Sequence, residues 1–134
     1  MATDGLEAIS SNFGPKETMD RLEGVAKAKG LTIFAKIDHA AGAEAATMTL
    51  RPTELLIFGN AKGGTPLMQA NQSIGIDLPL KAIVYEDEIG KVWLAWNDPF
   101  WLAARHDLDR AVGTQVEALA GILAALAAAA ALDA

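Results

Sequence analysis

Hydrophobic and polar positions recur along this chain with two periods, and the switches between them mark its elements. Residues 31–38 alternate: Leu31, Ile33, Ala35 and Ile37 share one face and Thr32, Phe34, Lys36 and Asp38 the other. That pattern predicts a half-buried strand, with Phe34 reaching under a helix. Upstream, Gly14-Pro15 opens a helix with Met19, Leu22, Val25 and Ala26 on one face, Lys27 and Lys29 near its C-terminal end, and Gly30 as its stop. Residues 54–59 are a continuous apolar run and read as a fully buried strand. Residues 80–86 and 91–96 read as a hairpin turned through Asp87-Glu88-Ile89-Gly90. In its second arm Val92, Leu94 and Trp96 face one way and Trp93 and Ala95 the other. With both faces apolar, the ribbon is expected to be covered on both sides, by helices or by a second subunit.

Helix starts are written in capping residues. Asp38 caps a short helix from His39 to Ala46, and Asp98 followed by Pro99 opens another through Arg105. Gly59-Asn60, extended by Gly63-Gly64, reads as a turn; Thr65 as N-cap and Pro66 in the first helical position then predict a helix over 66–71. Residues 71–79 read as a loop. Asp107 or Asp109 begins the last helix, which runs to about Leu132 with Val112, Val116, Leu119, Leu123, Leu126 and Ala130 at helical spacing. A weak strand over 6–11 follows a frayed stretch at 1–5. The expected order is β-α-β-α-β-α-β-β-α-α. It forms one α/β (α+β) domain over 1–134, a sandwich with a mixed, partly antiparallel sheet covered by helices.

Composition narrows the function. A chain of 134 residues has room for one core. A net charge of −6 argues against nucleic acid as a partner, since that affinity rests on cations facing phosphates. There is no cysteine, hence no disulfide, thiolate nucleophile or cysteine zinc site. The first seven residues carry two acids and no apolar run, so they do not read as a signal peptide. The uncharged stretch 118–132 is 15 residues long, short of the roughly 20 that a membrane span needs. A soluble, cytoplasmic protein with no membrane partner is expected.

The candidate chemistry is sparse. His39, Arg51, Asn60 and Asp77, with Glu54, are the polar residues placed to converge on a small ligand, Arg51 serving as a bidentate contact to a carboxylate or phosphate. Alternatively, Arg51 pairs with an acid and ties its connector to the next loop. His39 can act as a base or a single metal or haem ligand, or bond a neighbouring carboxylate or carbonyl. No spacing of histidines and acids marks a metal site, and no cofactor is specified. His106, at a helix end, is expected to be solvated or to cap that helix. Glu86, Asp87 and Glu88 are a solvated acidic turn. Trp93, Trp96, Trp101 and Phe100 read as an aromatic cluster in the core or at an interface. Neither Ser10-Ser11 nor Ser73 lies in a GxSxG context, which argues against a serine hydrolase.

Five short motifs together carry a resemblance. Arg51-Pro52-Thr53-Glu54 leads into Phe58-Gly59-Asn60, followed by Gly64-Thr65-Pro66-Leu67-Met68, Asp77-Leu78-Pro79 and Asn97-Asp98-Pro99. Over about residues 16–110 the chain resembles the domain of unknown function 302 family, with its TT1751-like fold. The resemblance implies a small α/β domain that forms a homodimer, and it passes on no catalytic residues. The expected protein is therefore a homodimeric, non-catalytic domain that binds a small ligand or a partner. The alternative is an enzyme of small-molecule metabolism built around His39, Arg51, Asn60 and Asp77.

Overall fold

The structure, a computed structural model, describes residues 3–132; Met1 and Ala2 of the expected frayed stretch lie outside the described residues. Its elements are β1 (Leu6–Ser10), α1 (Pro15–Ala28), β2 (Thr32–Asp38), α2 (His39–Ala45), β3 (Thr53–Gly59), α3 (Ala61–Ala70), a 3₁₀ turn (Gln72–Asp77), β4 (Leu80–Glu86), β5 (Val92–Asn97), α4 (Pro99–Arg105), a second 3₁₀ turn (Arg110–Val112) and α5 (Gly113–Ala131). The strands form one open sheet in the order β1-β5-β4-β3-β2. The α+β architecture is as expected. Every strand pair is antiparallel, where a mixed sheet was expected: β2-β3, β3-β4 and β4-β5 are each joined to their neighbour, and the α1 connection carries the chain from β1 at one edge to β2 at the other.

Helices α1 and α5 cover one face. Met19, Leu22 and Ala26 of α1 and Leu119, Leu123 and Leu126 of α5 close over Leu56, Phe58, Ala82, Val84 and Leu94 from the sheet. The alanine-rich end of α5 lacks a glycine stop, and its last carbonyls are met from outside the helix. Arg21 donates from Nε to the Ala130 carbonyl at 3.0 Å and from Nη2 to that of Ala129 at 2.9 Å. The Asn12 amide donates to the Ala131 carbonyl at 2.8 Å. The span Arg110–Ala131 is long and apolar enough to cross a membrane by length and composition, longer than the uncharged stretch suggested. Its inward stripe is taken up by the core.

The sheet's other face carries no helical cover among the described residues, which leaves a second subunit as the expected cover. Strand β3 is buried on one side only: Leu56 and Phe58 are sealed, whereas Leu55 and Ile57 are half-exposed. The register aligns Ile37, Leu55, Ile83 and Ala95 across this outer face, with Ile57, Tyr85 and Trp93 beside them. A bulge between Ile33 and Ala35 breaks the alternation of β2, so Ile33 faces the core opposite Phe58 while Ala35 and Ile37 face outward. Phe34 is the extra residue; it is 55% exposed rather than tucked under a helix.

Two further expectations are corrected. Helix α3 begins at Ala61, four residues before Thr65, because the Asn60 carboxamide oxygen accepts from the Gly63 amide at 2.7 Å and caps it there. Gly63 and Gly64 are thus helical, and Pro66 sits inside the helix. The aromatic residues do not cluster: Trp96 packs on the core, Trp93 lies on the open face, and Phe100 and Trp101 are 51% and 41% exposed. Asp38 and Asp98 cap their helices as expected, each bonding an amide at 2.9 Å.

Candidate functional site

The antiparallel register gives the sheet two ends. At one, β3 finishes at Gly59, β4 begins at Leu80 and β5 runs out at Asn97. Helix α3, the 3₁₀ turn Gln72–Asp77 and helix α4 all gather there, and two features lie among them.

The first is an apolar cavity of about 260 Å³ between the end of β3, α3, the 3₁₀ turn and α5. Its walls include Met68, Leu78, Leu119 and Ile122, with Phe34 and Asn60 also lining it. Glycines keep it open. A β-carbon on Gly64 would lie 3.5 Å from Leu78 Cδ1, one on Gly63 3.3 Å from Leu119 Cδ2, and one on Gly75 3.4 Å from Met68 Sδ. An apolar cavity of about 150 Å³ holds benzene, and drug-sized ligands take roughly 300 Å³ or more. This space therefore fits a neutral, largely apolar group of about two fused rings.

The second is a polar network tying the 3₁₀ turn to the end of α4. His106, only 8% exposed, has Nδ1 2.8 Å from Ser73 Oγ and Nε2 2.5 Å from Asp77 Oδ2. Arg105 Nη1 donates to both Asp77 oxygens, at 2.9 and 2.8 Å. Asn71 donates from Nδ2 to the His106 carbonyl at 2.5 Å, and its oxygen accepts from the Ser73 amide at 3.2 Å. Nearby, Lys81 donates to the Pro79 carbonyl at 2.9 Å; burial pushes its pKa down, against an opposing pull from Asp77.

The four residues expected to converge are split in two pairs. Asn60 and Asp77 lie at this end, Asn60 as a helix cap lining the cavity and Asp77 in the polar network. His39 and Arg51 lie at the other end, one at the start of α2 and one just before β3. The seven residues of β3 separate the pairs by roughly 20 Å, so one small ligand cannot meet all four. His39 is exposed, and Arg51 pairs loosely with Glu88 at 3.8 Å. Glu54 lies near them, in an open groove between α1 and α2. Among the described residues no three histidines and acids gather in a metal-binding group.

His106 bears out one of its two expected roles and adds a feature the sequence does not show. It does occupy the C-cap of α4, but its ring is buried and bonded at both nitrogens rather than solvated. Ser73, which lacks a GxSxG context, meets its histidine only across 33 residues of chain. The pair Asn71-x-Ser73 signals a local turn, and nothing in it names the histidine that closes over it.

A family profile described as "Domain of unknown function DUF302" matches residues 7–126. Two curated relatives, each named "Fluoride-specific ion channel FluC 1", come from Brucella suis biovar 1 and Brucella abortus biovar 1. Each is 46% identical over 115 residues, which is 86% of this chain but 45% and 43% of those proteins. The chain thus spans less than half the length of the curated relatives it matches. Among solved structures, an uncharacterised conserved DUF302 protein from Bacillus stearothermophilus superposes with a TM-score of 0.81 at 21% identity, covering 92% of this chain and 96% of that one. That likeness establishes the fold.

Proposed function

This chain belongs to the DUF302 family, and from that premise we propose that it is a soluble, cytoplasmic, homodimeric domain that binds a small, neutral, largely apolar ligand. The observation that carries the ligand is the glycine-walled cavity of about 260 Å³ at the N-terminal end of α3. Asn60 supplies a polar group at its lining, and the walls supply the apolar contact that small-molecule sites use for most of their affinity. Calorimetric titration with indole-sized probes tests the reading against Gly64→Val, whose branched side chain enters the cavity. Heat of binding in the parent chain that is lost in the variant supports it; equal heats, or none in either, refute it.

The open sheet face supports the dimer. Five strands about 4.8 Å apart and some 20 Å long present roughly 400 Å² in projection, with an apolar stripe at its centre. A second copy presenting the same face would cover Ile37, Leu55, Ile57 and Ile83 by a two-fold rotation.

A second reading draws on the Brucella proteins. We infer that the domain works beside a membrane protein that passes fluoride. Its support is the 46% identity over most of this chain to less than half of proteins named for that channel. Co-expression with the unmatched part of the Brucella suis protein, followed by purification from membranes, tests it. Retention of this chain on that partner supports the reading, and its absence from the membrane fraction contradicts it.

A further inference from the structure

We propose that Ser73, His106 and Asp77 form a nucleophilic site that takes acyl groups from small esters, an activity separate from ligand binding in the cavity. The three side chains stand in the connectivity of nucleophile, base and orienting acid. Ser73 is exposed, as a nucleophile must be, while the ring behind it is only 8% exposed. The hydroxyl lies 2.8 Å from His106 Nδ1, and the far nitrogen of the ring is fixed by Asp77 at 2.5 Å. Asp77, an acceptor when ionised, selects the tautomer with its proton on Nε2. Nδ1 then carries a lone pair and faces a hydroxyl.

Asn71, Asp77 and Arg105 are positioning residues. Asn71 Nδ2 donates to the His106 carbonyl at 2.5 Å and Asn71 Oδ1 accepts from Ser73 Oγ at 3.1 Å, so it touches both reacting partners; the hydroxyl proton turns from Asn71 Oδ1 to His106 Nδ1 for the reaction. Arg105 pins the Asp77 carboxylate through both oxygens. The step balances without any further reagent. Ser73 Oγ bonds to the ester carbonyl carbon as its proton passes to His106 Nδ1, and Asp77 stabilises the imidazolium through Nε2–H. The carbon–oxygen bond to the leaving group breaks, and Nδ1 returns the proton to the departing oxygen. Water, deprotonated by the same nitrogen, then attacks the acyl carbon, the bond to Ser73 Oγ breaks, and Nδ1 returns the proton to Oγ as the acid leaves.

The full chain treated with a fluorophosphonate and mapped by mass spectrometry tests this. We expect a phosphonyl adduct on Ser73, and hydrolysis of p-nitrophenyl acetate that is lost in Ser73→Ala. In His106→Gln the adduct forms roughly a hundredfold more slowly, the usual scale of a lost general base. In Asp77→Asn it slows with the circular dichroism spectrum unchanged, which a purely structural role would not produce. An unlabelled Ser73, or ester turnover equal in the parent chain and Ser73→Ala, overturns the proposal even where the His106 variant fails to fold.

Discussion

The carboxylate of Asp77 and the imidazole of His106, 29 residues apart, meet at 2.5 Å between Oδ2 and Nε2. Both side chains are largely buried, 14% and 7% exposed, whereas the Arg105 side chain that shares the carboxylate is 50% exposed. The two partners of Asp77 should therefore count differently. Asp77→Ala strands a buried ring nitrogen and is expected to cost about 1–3 kcal/mol. Arg105→Ala removes a half-exposed ion pair and should cost less than about 1 kcal/mol. Urea unfolding of the two variants checks this, and the reverse ranking would contradict it.

Gly5 and Gly24 should respond to alanine with opposite signs. Gly5 has φ +77°, and a β-carbon there would lie 2.3 Å from Cδ2 of the Trp101 ring. Its carbonyl also accepts from the Asp98 amide at 2.8 Å, linking the start of β1 to the cap of α4. Gly5→Ala is expected to cost about 1–3 kcal/mol in strain and displacement of the indole. Gly24 lies exposed in mid-α1 with open space where a β-carbon would go, so Gly24→Ala should stabilise by about 0.5–1 kcal/mol. Thermal melts of both variants decide.

These two glycines also show what could be read from the chain. Strands, the Asp38 and Asp98 caps and the inward stripe of α5 were legible because each rests on neighbours within a few residues. The start of α3 was misplaced because Thr65-Pro66 offers a valid local signal, and Asn60 offers an earlier one that tertiary packing prefers. The bulge at Phe34 was hidden by an unbroken alternation. Nothing local placed Asn60 and Asp77 at one end of the sheet and His39 and Arg51 at the other; strand direction did. His106 and Ser73 come together only once α4 folds back over the 3₁₀ turn.

The open face predicts assembly. Light scattering should give twice the monomer mass for the parent chain, and the monomer mass for Ile83→Asp, which sets a charge at the centre of that face, with the far-ultraviolet spectrum unchanged. A parent chain that runs as a monomer at micromolar concentration would remove the support for the dimer.

Acid should act late at the hairpin tip. The Trp93 indole N–H, donating to Asp87 Oδ2 at 2.9 Å, is the main cause holding the Asp87 carboxyl below its ordinary range, helped by the amides of Lys91 and Ile89. A depressed carboxyl pKa means that its stabilisation is complete above the unfolded-state value and is lost as pH falls through the lower folded value. The Trp93 Nε1–H resonance should therefore hold steady from neutral pH to below 3.8 and shift only in stronger acid. In Asp87→Asn the acid shift should vanish; a shift that survives this substitution would assign it to another group.

The cavity is the centre of this account, and amide chemical shifts during titration with indole test it most directly. The prediction is saturable movement of the Gly63, Gly64 and Gly75 amides, which line the cavity, with Glu88 and Ile89 at the opposite end of the sheet unmoved. Glycine amides that stay fixed up to the solubility limit of indole, or shifts that fall on the open sheet face instead, would contradict it.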